Sequence, residues 1–165
     1  LTFAGQPVAV SGVSWMDHEY GTSSLSGKTT GWDWFAVQLD NGMALMFGEF
    51  HNGLGGGSSV HSGTLADPGG RPGKLEDADF DLTALGQWTS PVTGITYPAG
   101  WRVSMPALGI DLTIEPIVAD QEMDVSFIYY EGATTVGAQV NGEAVNGVGY
   151  VELTGYGENS GGYQR

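Results

Sequence analysis

The sequence contains no cysteine in its 165 residues, which excludes disulfides and thiolate metal sites and leaves the redox compartment undetermined. Basic residues are scarce: five Lys and Arg stand against nineteen Asp and Glu, for a formal net charge of -14. Such a chain repels phosphate backbones and anionic lipid, so nucleic acid is not an expected partner. The acids are scattered rather than run together, which reads as solubility or a salty habitat. No apolar run approaches the ~20 residues of a membrane-spanning helix, so no membrane span is expected. No stretch reads as a signal peptide. The start at Leu1 rather than methionine suggests a processed product or a piece of a longer chain. Helical periodicity is missing as well, since no window keeps apolar residues on one helical face.

What the chain does have is glycine, 28 residues of it, and repeated period-two alternation between turn signals. The expected class is all-β. Candidate strands are Val8 to Val13, Asp33 to Leu39, Ala44 to Phe50, Val60 to Leu65, Lys74 to Leu82, Gly86 to Ser90, Trp101 to Ser104, Ile110 to Ile117, Ser126 to Val140 and Gly147 to Tyr156. Short strands in this number suit a closed or nearly closed antiparallel barrel of about eight to ten strands, which also removes exposed edges. The length fits one domain over residues 1–165, large enough to bury a core. The stretch from Gly53 to Ser59 reads as a flexible loop, because no helix pattern follows it to make a phosphate cradle.

The sharpest local signal is "WDWFAVQLDNGMALMFGEFH", Trp32 to His51, in which Asn41-Gly42 separates two runs of strand formers. A two-residue type I′ turn at Asn-Gly would set Trp34 opposite Glu49 and Trp32 opposite His51. One face would then carry Trp32, Trp34, Phe47, Glu49 and His51, and the other Asp33, Phe35, Val37, Leu39, Met46 and Phe50. Both faces are largely apolar, so the wall must cover its outer side or line a cavity with its inner one.

Ionisable chemistry concentrates in "SWMDHEYGTSS", Ser14 to Ser24. Strand alternation would put Trp15, Asp17 and Glu19 on one face and Met16, His18 and Tyr20 on the other, so the two acids can share a pocket. The plainer reading of those acids is a backbone clamp or a pairing with Arg102. His18, His51 and His61 lack tight ligand spacing, and no metal site is expected. "DADFD", Asp77 to Asp81, lacks the loop glycine and terminal glutamate of a calcium hand and reads as a solvated strand. No serine sits in a nucleophile elbow.

The motifs "SGVSWMDHEYG", "GWDWFAVQLDNGMALMFGEF", "WTSPVTGITYPAGWRVSMPALGIDLTIEP", "DQEM", "YYEGATTV" and "GVGYVELTGY" resemble, in order, those of the carotenoid hydratase (hydroxyneurosporene synthase) and AttH-like superfamily. The resemblance implies a lipocalin-like barrel, matching the C-terminal half of a two-barrel protein, and "MDHEYG" is closer to the AttH-like version of its motif than to the hydratase version. It also implies hydration of isoprenoid double bonds, or related cyclisations and template chemistry, with no cofactor. The hydratase motif's acid falls on Asp17, with Glu19 or His51 assisting. Trp15, Tyr20, Trp32 and Trp34 become cation-stabilising walls, and Glu49 and Tyr130 further substrate contacts. A carboxylic acid in an apolar pocket has a raised pKa and can stay protonated near neutrality. The partners implied are a hydrophobic small molecule and a second lipocalin-like barrel, in the same chain or another, and the resemblance favours an extracytoplasmic location. A carrier that only binds an apolar ligand is the alternative.

Overall fold

The computed structural model describes residues 1–17, 29–52, 60–125 and 127–157. Among these the chain is all-β apart from two short 3₁₀ turns, and no helix is long and apolar enough to cross a membrane. The strands are β1 (Thr2–Phe3), β2 (Gln6–Pro7), β3 (Thr29–Leu39), β4 (Ala44–Asn52), β5 (Val60–Ala66), β6 (Pro72–Leu75), β7 (Asp81–Ala84), β8 (Gln87–Thr89), β9 (Thr96–Pro98), β10 (Trp101–Met105), β11 (Ile110–Pro116), β12 (Glu122–Asp124), β13 (Ile128–Val140) and β14 (Glu143–Leu153).

Ten of them form one antiparallel sheet in the order β6-β5-β4-β3-β14-β13-β11-β10-β7, with β12 added along β13. The alternation that defines the strands also curls the sheet around a single core. On β13, Tyr130, Gly132, Thr134, Val136 and Ala138 are buried while the residues between them are exposed. The inward rows of β3, β4, β10, β11, β13 and β14 meet in one cluster that includes Phe35, Phe47, Trp101, Val103, Ile114, Tyr130 and Val151. The edge strands β6 and β7 are separated in sequence only by residues 76–80, and Phe80 of that link is buried in the same core. The result is the lipocalin-like barrel expected from the sequence.

The β3–β4 hairpin departs from its expected register by one residue. Phe35 pairs with Phe47, Trp34 with Gly48 and Asp33 with Glu49. The reason lies in the turn. Gly42 alone takes positive φ, at 88°, while Asn41 does not. Gly42 N–H donates to the Leu39 carbonyl at 2.9 Å and Leu39 N–H to the Met43 carbonyl at 2.9 Å, the pattern of a three-residue loop closed by a left-handed glycine rather than a two-residue type I′ turn. One residue of slip exchanges the faces of β4 relative to β3. Asp33, Phe35, Val37 and Leu39 now share the interior with Leu45, Phe47, Glu49 and His51, and the Phe35 and Phe47 rings stack with centroids 5.0 Å apart. Trp32, Trp34, Ala36, Met46 and Phe50 form the outer face, all at least half-buried.

Two other expected strands differ. Val8 to Val13 is not a strand; β1 and β2 form a small separate ribbon, and the segment that follows lies against the outside of β3 and β14. There Gln38 Nε2 donates to the Ser14 carbonyl at 3.1 Å. Lys74 to Leu82 breaks at the 3₁₀ turn Asp77–Asp79, because Glu76 and Asp79 cap one another's backbone N–H groups, Glu76 N–H reaching Asp79 Oδ2 at 2.7 Å.

Candidate functional site

One rung of the barrel differs in chemistry from the rest. Cross-strand pairing aligns His61 with Glu49, Glu49 with Asp33, Asp33 with Leu153, Leu153 with Tyr130 and Tyr130 with Glu122, across β5, β4, β3, β14, β13 and β12. The rungs below are filled by Phe35, Phe47, Val151 and other apolar side chains, all fully buried. Titratable groups therefore gather at one end of an apolar interior.

Asp33 is the centre of that end, with its side chain only 6% exposed. The Tyr156 hydroxyl, just beyond β14, donates to Asp33 Oδ1 at 2.7 Å. His51 Nε2 lies 3.3 Å from the same oxygen, and the His51 ring meets Tyr156 edge-on at 5.7 Å. Asp33, Glu49 and His51 each bring one donor atom to within 4.8 Å of the others. Next along the rung, His61 Nε2 is 4.0 Å from Glu49 Oε1, and His61 Nδ1 is 3.5 Å from Asp77 Oδ1.

The electrostatics follow from this packing. The hydrogen bond to Asp33 raises the His51 pKa above its ordinary value; burial works against this, and the charges of Asp33 and Glu49 add to it. Burial, followed by the Asp33 charge and hydrogen bond, pushes the Tyr156 hydroxyl far above the ordinary phenol range. Tyr156 is therefore a fixed donor to Asp33, and His51 stays protonated further toward neutrality than a free imidazole.

Across the rung, Glu122 is held by hydroxyls. Ser90 Oγ, Thr93 Oγ1 and Tyr97 OH donate to it at 2.6, 2.7 and 2.9 Å. Burial alone would raise Glu122, but these three donors outweigh it and keep the carboxyl below its ordinary value. The aromatic rings between the two carboxylate centres are in mutual contact: Tyr97 lies 5.4 Å from Tyr130, 5.6 Å from Tyr156 and 6.2 Å from Trp88. The arrangement combines an acid–base pair with an aromatic wall, able to move a proton beside an apolar surface.

A family model for AttH-like proteins matches residues 1–156. The chain belongs to the AttH-like family. A crystal structure of a provisionally assigned AttH from Nitrosomonas europaea is similar to it, with a TM-score of 0.69 and 30% identity over 81% of this chain. The chain spans 41% of that protein's length. No curated protein matches it significantly.

Of the site residues expected from sequence, this AttH-like barrel brings together His51, Glu49 and Tyr130 in its interior. Trp32 and Trp34 lie on the outer face, where Trp32 Nε1 donates to Glu152 Oε1 at 2.9 Å and Trp34 meets Phe50 edge-on at 6.3 Å. Asp17 is exposed and accepts a hydrogen bond from Trp15 Nε1 at 3.0 Å. Trp15 lines a cavity of about 150 Å³ outside the barrel with Val13, Ala36, Gln38, Val148 and Tyr150. Arg102 faces Asp111, at 3.4 Å, not Asp17. Glu19, Tyr20 and His18 lie outside the described residues. Sequence reasoning missed Asp33 as a site residue because the two-residue turn put it on the face opposite His51. It missed Tyr156 because Gly155, at φ 86°, re-aims the chain after β14. Glu49 and His51 stand two residues apart on one face of β4, and Asp33 joins them only through strand register.

Proposed function

We propose that this AttH-like barrel is an enzyme for a hydrophobic, isoprenoid- or polyketide-like substrate, acting by proton transfer in alkene hydration or cyclisation. The observation that carries this reading is the His51–Asp33–Tyr156 centre, a buried carboxylate with a histidine on one side and a phenol on the other, at the end of an apolar barrel. It replaces Asp17, whose exposure does not suit a water-shielded acid. In hydration, His51 gives the proton on the ring nitrogen that Asp33 does not hold to one alkene carbon, and a tertiary cation forms on the other. Tyr130 and Tyr156 face that cation with their rings. Water adds to it, and Glu49 takes the proton the water loses and passes it back to His51, so that one water is added overall and the acid is restored. Asp33 stabilises the imidazolium that starts the cycle. A second barrel packs on the outer face bearing Trp32, Trp34 and Phe50, a reading supported by the span of 41% on the solved relative.

The test is incubation of the chain with a panel of isoprenoid alkenes in ¹⁸O-labelled water, followed by mass spectrometry. One labelled oxygen per product is expected, falling by about a hundredfold or more in His51→Gln, as loss of a general acid does. Tight binding without any product supports the carrier instead, and equal turnover by His51→Gln removes His51 from the chemistry.

A further inference from the structure

The barrel-end carboxylates carry more negative charge than the structure neutralises. Asp33 and Glu49 face two histidines, His51 at 3.3 Å from Asp33 and His61 at 4.0 Å from Glu49, and His61 is also shared with Asp77. Among the described residues no lysine or arginine pairs with either: Lys74 and Arg102 pair with Glu76 and Asp111, and Arg71 is exposed. Tyr156 donates to Asp33 on one side, whereas Glu49 accepts no hydrogen bond among the described residues and faces only the two imidazoles, His61 at 4.0 Å and His51 within 4.8 Å. A half-buried carboxylate held only by a distant imidazole has lost solvation without a close hydrogen bond, a deficit that a cation would relieve.

The donor set fits one class of cation. One imidazole nitrogen and two carboxylate oxygens are ligands for zinc and similar first-row divalent ions rather than for magnesium or calcium, which favour all-oxygen sites. With metal–ligand bonds of about 2.0–2.2 Å, neighbouring corners of a tetrahedron lie about 3.4 Å apart. His51 Nε2 and Asp33 Oδ1 stand 3.3 Å apart, and Glu49 completes the set within 4.8 Å, a gap that rotation of a side chain only 24% exposed but free of hydrogen bonds can close. Tyr156, which donates to the same Asp33 oxygen at 2.7 Å, orients that ligand, as outer partners do in metal sites. We infer that Asp33, Glu49 and His51 form a three-ligand site for a zinc-class divalent cation, with the solvent side left for water. The site shares His51 with the reaction proposed above, so a bound cation takes the Nε2 lone pair, keeps the imidazolium from forming and inhibits that reaction.

The experiment is a titration of the chain with Zn²⁺ against a chromophoric chelator, with folding of each variant checked by circular dichroism. One Zn²⁺ per chain is expected. Affinity should fall about a hundredfold in His51→Gln and in Glu49→Gln and about tenfold in Tyr156→Phe, the lower end for an outer partner. Asp17→Asn, on the exposed segment, should be unchanged. No binding below about 100 µM, or equal binding by wild type and both ligand variants, overturns the site and leaves only scattered surface acids. If the variants fail to fold, Co²⁺ added to wild type should first shift and broaden the His51 and Glu49 resonances, and uniform broadening elsewhere overturns the inference equally. The titration needs no substrate: zinc binding without turnover removes only the catalytic reading, and turnover without zinc binding removes only the metal.

Discussion

Asp33 is buried, and the Tyr156 hydroxyl and the His51 imidazole both meet its Oδ1, at 2.7 and 3.3 Å. Its loss is expected to show as pH dependence. Because the His51 pKa is raised by Asp33, the pair's stabilisation is complete below about pH 6.5, the unfolded value, and is lost as pH rises through the folded-state value. Asp33→Asn should therefore destabilise the chain by about 1.5–3 kcal/mol below pH 6.5, the range for a hydrogen bond to a charged group, and by less above it. Urea melts at pH 5.5 and pH 8.5 check this, and an NMR titration should show the His51 pKa falling toward its ordinary value. Tyr156→Phe removes a donor from a buried carboxylate, with an expected cost of about 1–3 kcal/mol. An unchanged midpoint in denaturant would show that water replaces the phenol at no cost.

At the scale of elements, the hairpin turn and the Glu122 clamp decide the geometry. Gly42→Ala forces a side chain into the left-handed region and should cost about 1–2 kcal/mol, read from thermal melts. Glu122→Gln weakens three hydroxyl bonds that tie the β8–β9 ribbon and the 90–93 turn to β12. The Glu122 pKa is depressed, so its contribution is present above the unfolded carboxyl value and is lost as pH falls through the folded one. The variant should be less stable than wild type at pH 7 and show a flatter acid limb below about pH 4.5. These same elements mark what the sequence could reveal. Period-two alternation made the strands from Asp33 to Phe50 and from Ile110 to Val140 legible, because burying one face imposes that pattern on any strand. The turn was legible as a turn but not as a type: Asn-Gly satisfies both loop lengths, and nothing local distinguishes one positive φ from two. That one residue moved Asp33 from the far face to the side of His51. Glu49, His51 and Tyr130 were nameable as site residues from the hairpin and the resemblance. Their assembly was not, since it depends on six strands brought into line over a hundred residues.

For the whole molecule, the net charge of -14 makes the folded state repel itself. Raising NaCl from low concentration to about 0.2 M shortens the screening length to less than 10 Å and should raise the melting temperature, a fall being contrary to a charge-strained fold. The outer apolar face of β3 and β4 is the surface a second barrel would cover, and sedimentation of this chain at high concentration should show self-association that is reduced by Trp34→Lys. The most direct measurement is a map of amide and aromatic NMR shifts as farnesol, an apolar isoprenoid alcohol, is titrated into the labelled chain. If the barrel end is the functional site, the saturable shifts fall on Asp33, Glu49, His51, Tyr130 and Tyr156 and are abolished in His51→Trp, which fills that end. Shifts confined to Val13, Trp15, Asp17, Gln38 and Tyr150 would put the ligand on the outer face beside Asp17 and contradict it.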